Sequence, residues 1–137
     1  MMIADKMLNT VGLFEAQPYH QYLGMRVTAC SDGFSQVQIE IRPELCNPVG
    51  TLHGGIICSL SAIASSLAAL SMLDTSQYTV ASDFNISVLR PISSGTIVIE
   101  GQVIKAGRRL IFVETKVIDV YGSLAAVGRV TKPVLTA

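Results

Sequence analysis

The pattern of hydrophobic residues changes abruptly at Leu52. Residues 52–73 contain no charged side chain and are rich in alanine and serine. A helix that is apolar on every side either spans a membrane or lies at the centre of a folded core. The many serines of this run, and the lack of a lysine or arginine cluster at its ends, favour the core. The pattern therefore predicts a long buried helix whose small side chains let its neighbours approach closely.

Alternating apolar and polar residues predict strands on both sides of this helix. Val37, Ile39 and Ile41 alternate with polar residues, which is the pattern of a half-buried strand. Asp32-Gly33 is a hairpin-turn dipeptide and comes just before that strand. Because the links are short, consecutive strands must be antiparallel. The predicted strands are residues 25–30, 34–41, 78–89, 96–105, 110–121 and 124–131.

The first residues of the chain have a looser, helical period. It covers residues 2–14 and ends before Pro18, and a further turn is expected at residues 19–23. We expect one domain over residues 1–137, with a short helical segment at about residues 1–22. The fold class is α+β: a long central helix wrapped by a curved antiparallel sheet, in the order β-β-α-β-β-β-β.

The composition points to a chain that associates with itself. Half of the residues are hydrophobic and only 15% are charged, so a domain of this size has more apolar surface than it can bury alone. An antiparallel sheet also has edges that need to be covered. A homodimer, or a dimer of dimers, would meet both needs.

Charge and cysteine usage exclude several classes of partner. Ten basic and ten acidic residues are spread along the chain, without the basic face of a nucleic-acid-binding protein. The three cysteines form no metal-ligand pattern and are expected to be reduced and mostly buried. The start of the chain lacks the apolar block of a signal peptide. We therefore expect a cytoplasmic protein with no nucleic-acid partner, no membrane span and no metal.

The segment directly before the helix carries the candidate chemistry. Residues 47–55, NPVGTLHGG, place an amide, an imidazole and two glycines at the helix start. A helix N-terminus presents unpaired N–H groups and about half a positive charge, which favours an anion or a developing oxyanion. Glycine lets a ligand approach the backbone closely. Asn47, His53 and Gly54 are therefore candidate catalytic residues, and Gly55 is a candidate substrate contact.

Three further segments accompany this motif: DFNI at 83–86, LRP at 89–91 and AGRR at 106–109. With them, the chain resembles the hotdog-fold acyl-CoA thioesterases, in the group that includes phenylacetyl-CoA and 4-hydroxybenzoyl-CoA thioesterases. The resemblance runs from about Tyr22 to the C-terminus. It implies the hotdog fold and an acyl-CoA substrate, so that coenzyme A enters as part of the substrate and no separate cofactor is needed.

The resemblance also implies roles for individual residues. The backbone N–H of Gly54 would donate to the thioester carbonyl, Asn47 would orient the attacking water, and His53 would lie beside the acyl carbonyl. A preorganised donor of this kind is worth about 2.7–4 kcal/mol in the transition state. Arg108 and Arg109 would bind the phosphates of coenzyme A. A solvated hairpin tip is the other interpretation of these two arginines.

The chain departs from the family at Ala62. The family carries an Asp or Glu nine residues after the histidine, as general base or nucleophile, and here that position is Ala62. No carboxylate lies between Gly54 and Leu73. Four residues remain as candidates for the vacant role: Ser61, Ser65, Ser66 and, from a partner subunit, Asp83. Ala62 and Ser66 share one helix face and are candidate pocket residues.

Three functions stay open at this point. The leading hypothesis is a thioesterase that hydrolyses a medium-chain or aromatic acyl-CoA with an unusual catalytic residue. The alternative is a catalytically impaired acyl-CoA binding or sensor module that kept the pocket. A hydratase on the same fold is less favoured, because hydratases need a histidine with an acidic partner on the helix.

Overall fold

A seven-stranded antiparallel sheet carries one long helix on one face. The computed structural model describes residues 2–137. Short 3-10 turns lie at Asp5–Met7 and Pro43–Leu45. The helices are α1 (Leu8–Ala16), α2 (Pro18–Leu23) and α3 (Gly54–Leu70). The strands are β1 (Arg26–Ser31), β2 (Phe34–Glu40), β3 (Gln77–Thr79), β4 (Asp83–Val88), β5 (Thr96–Ala106), β6 (Leu110–Ile118) and β7 (Leu124–Thr136).

The strand order confirms the predicted α+β, hotdog-fold architecture. Neighbouring strands run β1-β2-β5-β6-β7, and the far side of β7 pairs with both β4 and β3. The sequence predicted one strand over residues 78–89. That prediction was wrong, because the segment forms two strands, β3 and β4. The backbone N–H of Val134 donates to the carbonyl oxygen of Arg109, on the β6 side of β7. Because backbone N atoms point to alternate sides along a strand, the N atom of Pro133 faces β3 and β4. Because proline has no N–H, the ladder on that side is interrupted there.

The turn predicted at Asp32-Gly33 joins β1 to β2. Asp32 has a φ of 48° and Gly33 a φ of 82°. Two consecutive positive φ angles are those of a type I′ hairpin, which matches the twist of the flanking strands. The prediction of this hairpin is confirmed, and it sets the register that brings Val37 and Ile39 into the core.

The charge-free run forms α3 and packs across the sheet. Leu60, Ala64, Leu67 and Ala68 are fully buried against it. A Cβ added to Gly101 on β5 would lie 2.6 Å from the carbonyl oxygen of Ala64, so glycine is what lets strand and helix approach this closely. Within residues 2–137, no helix combines the length and the apolarity that crossing a membrane requires.

The N-terminal segment is helical, but it is broken differently from the prediction. The helix expected at residues 2–14 starts after a 3-10 turn as α1 and continues to Ala16. Pro18 then begins α2, as expected of a residue without an N–H, and Gly24 ends it with a φ of 72°. Met1, which the predicted segment includes, lies outside the described residues.

The cysteines are less buried than expected. Cys30 is buried, Cys46 is half-buried and Cys58 is exposed on α3, so the prediction of mostly buried thiols was wrong. Burial raises the pKa of the Cys30 thiol to about 11, which keeps it unreactive. Cys58 is exposed because it lies on the side of α3 that does not pack on the sheet.

Candidate active site

His53 caps the start of α3. The imidazole Nδ1 of His53 accepts a hydrogen bond of 2.8 Å from the backbone N–H of Gly55. The backbone N–H of His53 donates to the carbonyl oxygen of Leu45 at 2.9 Å. An imidazole whose Nδ1 accepts a hydrogen bond carries its proton on Nε2 when it is neutral. The ring is solvent-exposed, so His53 fixes the helix start and presents an N–H donor outward.

The backbone N–H of Gly54 has no hydrogen-bond acceptor among the described residues. It is the first N–H of a helix and carries part of the positive end of the helix dipole. A Cβ added to Gly54 would meet nothing within 4 Å, so the space beside this donor is open. The residue lines a cavity of about 320 Å³ together with Asn47 and the segment 88–92. The structure therefore brings two of the predicted site residues to one cavity.

Asn47 holds the loop that leads into this cavity. Its Oδ1 accepts hydrogen bonds from the N–H groups of Val49, at 3.2 Å, and Thr51, at 3.0 Å. Its Nδ2 donates to Thr51 Oγ1 at 2.8 Å. One N–H of the side-chain amide is left over, because an amide nitrogen carries two. Asn47 is thus both a loop anchor and a donor at the cavity that Gly54 shares.

The other predicted contacts lie in separate cavities. His53 and Gly55 line a second one, of about 390 Å³, with Tyr19 and Tyr22. Ala62 lies in a third, of about 330 Å³, farther along α3. Eight residues of helix separate Gly54 from Ala62, which is about 12 Å at 1.5 Å per residue. A single chain therefore does not place the vacant position beside the Gly54 donor.

Of the serines on α3, Ser66 alone lines that third cavity. Ser61 is 1% exposed, and its Oγ has no hydrogen-bond partner among the described residues. Ser65 is fully buried and donates to the carbonyl oxygen of Ala62 at 2.9 Å. Ser66 is half-buried and lines the cavity next to Ala62. The structure places Ser61 and Ser65 in the core, away from any substrate.

Asp83 does not approach Ala62 within one chain. It pairs with Thr131 across β4 and β7, and directly opposed residues have their side chains on the same face. Lys132, the next residue on β7, contacts α3 through Ser66. Because neighbouring residues of a strand face opposite sides, Asp83 lies on the face away from α3.

Arg108 and Arg109 lie at the turn between β5 and β6. Both are exposed, and neither lines the cavities of Gly54, His53 or Ala62. Their position suits contact with a group outside these three cavities. The phosphate role remains a prediction.

Lys132 is the residue that the sequence reasoning missed. It is 1% exposed, and its Nζ donates to Ser66 Oγ at 2.6 Å in the cavity of Ala62. Across residues 2–137, no carboxylate forms an ion pair with it. Burial lowers the pKa of its ammonium group from 10.5 to about 8. The sequence did contain a signal for this residue. Lys132 lies between Val130 and Val134, at an inward-facing position of a strand.

Replacing Lys132 by methionine is expected to stabilise the protein. The folded state disfavours the charged lysine, so removing the charge raises the free energy of unfolding at pH 7 by on the order of 2 kcal/mol. Between pH 8 and 10.5 the unfolded wild-type chain binds more protons than the folded one. The free energy of unfolding of the wild type therefore rises between pH 8 and 10.5, and the difference from that of Lys132→Met becomes smaller. Urea unfolding of both proteins from pH 7 to 11 measures this, and a constant difference would contradict the pKa.

Comparison with known proteins decides the family. Residues 49–126, more than half of the chain, match the family described as the Thioesterase superfamily. The chain belongs to the thioesterase superfamily. Human acyl-coenzyme A thioesterase 13 is 31% identical over 121 residues, covering 86% of each chain. A protein of Saccharolobus solfataricus, named as a candidate esterase, is 34% identical over 112 residues, which cover 82% of this chain and 79% of that protein.

A solved structure agrees with this thioesterase assignment. The crystal structure of a thioesterase from Haemophilus influenzae superposes with a TM-score of 0.87 at 25% identity, and the match covers 93% of this chain and 89% of that one. The start of α3 is where the resemblance leads us to expect the groups that activate the thioester carbonyl. Position 62, where the resemblance leads us to expect a carboxylate, carries only a methyl group.

Proposed function

We propose that this protein hydrolyses acyl-CoA thioesters to a free acid and coenzyme A. The observation that carries the proposal is the N–H of Gly54, which has no acceptor among the described residues and opens onto a cavity at the positive end of α3. An oxyanion develops on the thioester oxygen in the transition state, and such a donor stabilises it by about 2.7–4 kcal/mol. Human acyl-coenzyme A thioesterase 13, a relative of similar length, supports this reaction.

The acyl group is an apolar one, medium-chain or aromatic. Leu52, Ile57, Leu89 and Ile92 line the cavity that Gly54 opens onto, and apolar surface of this kind favours a hydrocarbon chain or ring. A 24% identical relative from Listeria monocytogenes is named 1,4-dihydroxy-2-naphthoyl-CoA hydrolase, which is consistent with an aromatic acyl group.

The remaining contacts in this proposal are those that the resemblance implies. The free N–H of Asn47 orients the substrate or a water molecule, and His53 acts from the neighbouring cavity by holding the start of α3, and with it the Gly54 N–H, in place. Arg108 and Arg109 contact the phosphates of coenzyme A, which enters as part of the substrate. The reaction needs no cofactor, and the protein works in the cytoplasm.

A second copy of the chain completes the molecule in this proposal. β4 pairs with β7 on one side and with no other strand on its outer side among the described residues. Its helix-facing side carries Phe84, 46% exposed, and Val88, 53% exposed. Both an open edge and large exposed apolar side chains are liabilities that pairing with an identical strand removes. We therefore propose a homodimer through β4, which can associate further into a dimer of dimers.

The proposal is tested by following thiol release from a panel of acyl-CoAs. The panel contains acetyl-, octanoyl-, palmitoyl-, benzoyl- and 4-hydroxybenzoyl-CoA, incubated with the purified protein and with a protein-free control. We expect saturable turnover that is fastest for the octanoyl and aromatic substrates. Saturable acyl-CoA binding without thiol release would overturn the proposal in favour of the binding or sensor module.

A further inference from the structure

We propose that Ser66 and Lys132 form the catalytic pair that replaces the missing helix carboxylate, with Ser66 as nucleophile and Lys132 as proton acceptor. This inference rests on the proposed thioester hydrolysis. The resemblance places the general base or nucleophile at position 62. It gives no catalytic role to Ser66 or to Lys132. Because Ala62 carries only a methyl group, it leaves open the space that Ser66 and Lys132 face.

The geometry of the pair is that of an activated nucleophile. Lys132 Nζ and Ser66 Oγ are 2.6 Å apart, within the range in which a base takes a proton from a hydroxyl group. Ser66 lies one helical turn after Ala62, and both residues are half-buried while the three α3 residues between them are buried. Both line the same cavity as Lys132, so a substrate that enters it meets the pair directly.

The surroundings of Lys132 favour a neutral amine. α3 contributes no charged residue, and β6 places Ile111 opposite Lys132 on the neighbouring strand. Among the described residues that line the cavity, His20 is the other titratable group, and its Nδ1 is hydrogen-bonded to the carbonyl oxygen of Phe14 at 2.8 Å. With no anion beside it, the buried ammonium loses its proton near pH 8. A desolvated lysine of this kind serves as a general base.

The reaction then proceeds in two balanced steps. Ser66 Oγ gives its proton to neutral Lys132 Nζ and attacks the thioester carbon. The C–S bond breaks, and the coenzyme A thiolate takes the proton from Lys132, which leaves an acyl ester on Ser66. Water next gives a proton to Lys132 and attacks the ester, and Ser66 leaves with that proton as the acid is released. No other reactant is needed.

The oxyanion donor for this attack comes from a second copy of the chain. Gly54 and Ser66 are separated by twelve residues of α3, which is about 18 Å along the helix axis. One thioester carbonyl therefore cannot touch both groups in a single chain. The proposal therefore requires that pairing of two copies bring the Gly54 cavity of one chain to the Ser66–Lys132 cavity of the other.

Two variants test the pair directly, with matched controls. Ser66→Ala and Lys132→Met are expected to lower kcat by at least about 10³-fold. The controls are Ser59→Ala, on the same helix, and Lys116→Met, at an exposed position on β6. Because Lys132→Met is expected to be more stable than the wild type, its loss of activity does not come from unfolding. In the wild type, kcat/KM is expected to rise with pH to half its maximum near pH 8.

Mass spectrometry and mixed dimers complete the test. Acid-quenched wild-type reactions are expected to contain a protein species heavier by one acyl group, located on Ser66 and absent from Ser66→Ala. Co-expression of Gly54→Pro with Lys132→Met is expected to restore turnover well above that of either variant alone, because a mixed dimer keeps one site with both the Gly54 N–H and Lys132. An active wild type whose Ser66→Ala and Lys132→Met variants keep their turnover would overturn the pair and leave thioester hydrolysis standing. A wild type without turnover on any acyl-CoA would overturn both.

Discussion

Replacing Gly54 by proline is expected to lower kcat by about 10²–10³-fold while the fold stays intact. Proline removes one group, the backbone N–H, and that N–H has no acceptor among the described residues. Gly54 is the first residue of α3, where proline is well tolerated. His53 has φ −61° and ψ 133°, which is the extended conformation that a residue before proline prefers. The loss of one oxyanion donor accounts for the expected fall in rate.

The matched control for this experiment is Gly54→Ala. Alanine keeps the N–H, and its Cβ would meet nothing within 4 Å, so kcat is expected to stay within about threefold of the wild type. Thermal unfolding of both variants checks that the helix start is unchanged. If Gly54→Pro keeps full kcat, the oxyanion role of this donor is wrong, and if both variants lose activity equally, the cause is steric.

Replacing Ala62 by aspartate is expected to move the activity to lower pH. The new carboxylate would lie one turn before Ser66, in the cavity of Lys132, and would raise the pKa of that lysine back toward 10.5. At pH 6 a lysine with a pKa of about 8 is neutral in about 1% of molecules, whereas an aspartate is ionised and able to act as base. The rate at pH 6 is therefore expected to rise on the order of 10²-fold, and the rise of kcat/KM near pH 8 to disappear.

Ala62→Asn separates the charge of the new group from its size. The amide has nearly the same shape as the carboxylate and is no base, so the pH profile of Ala62→Asn is expected to keep its half-maximum near pH 8. Steady-state kinetics from pH 5 to 10 on all three proteins decides the matter. Identical profiles for the aspartate and asparagine variants would show that position 62 no longer takes part in catalysis.

The main elements of the fold were predictable because they depend on local patterns. The charge-free run predicted α3, Asp32-Gly33 predicted the hairpin, and alternation predicted the strands. The run at residues 78–89 was predicted as one strand, because alternation carries no information about pairing. Its division into β3 and β4 depends on Pro133, which lies about fifty residues later on β7 and leaves no N–H on that side.

The candidate site divides in the same way between local and long-range information. Gly54 and His53 could be found from the sequence because a helix start, its cap and its free N–H are all set within a few consecutive residues. The choice among the serines could not, since one position along a helix turns the side chain by about 100° and separates the buried Ser65 from Ser66 at the cavity. Lys132 is sixty-six residues from Ser66 in the chain, and only the packing of β7 against α3 brings its ammonium group to the serine and removes water from around it. Proximity and desolvation are properties of the packed structure, and they cannot be predicted from the sequence alone.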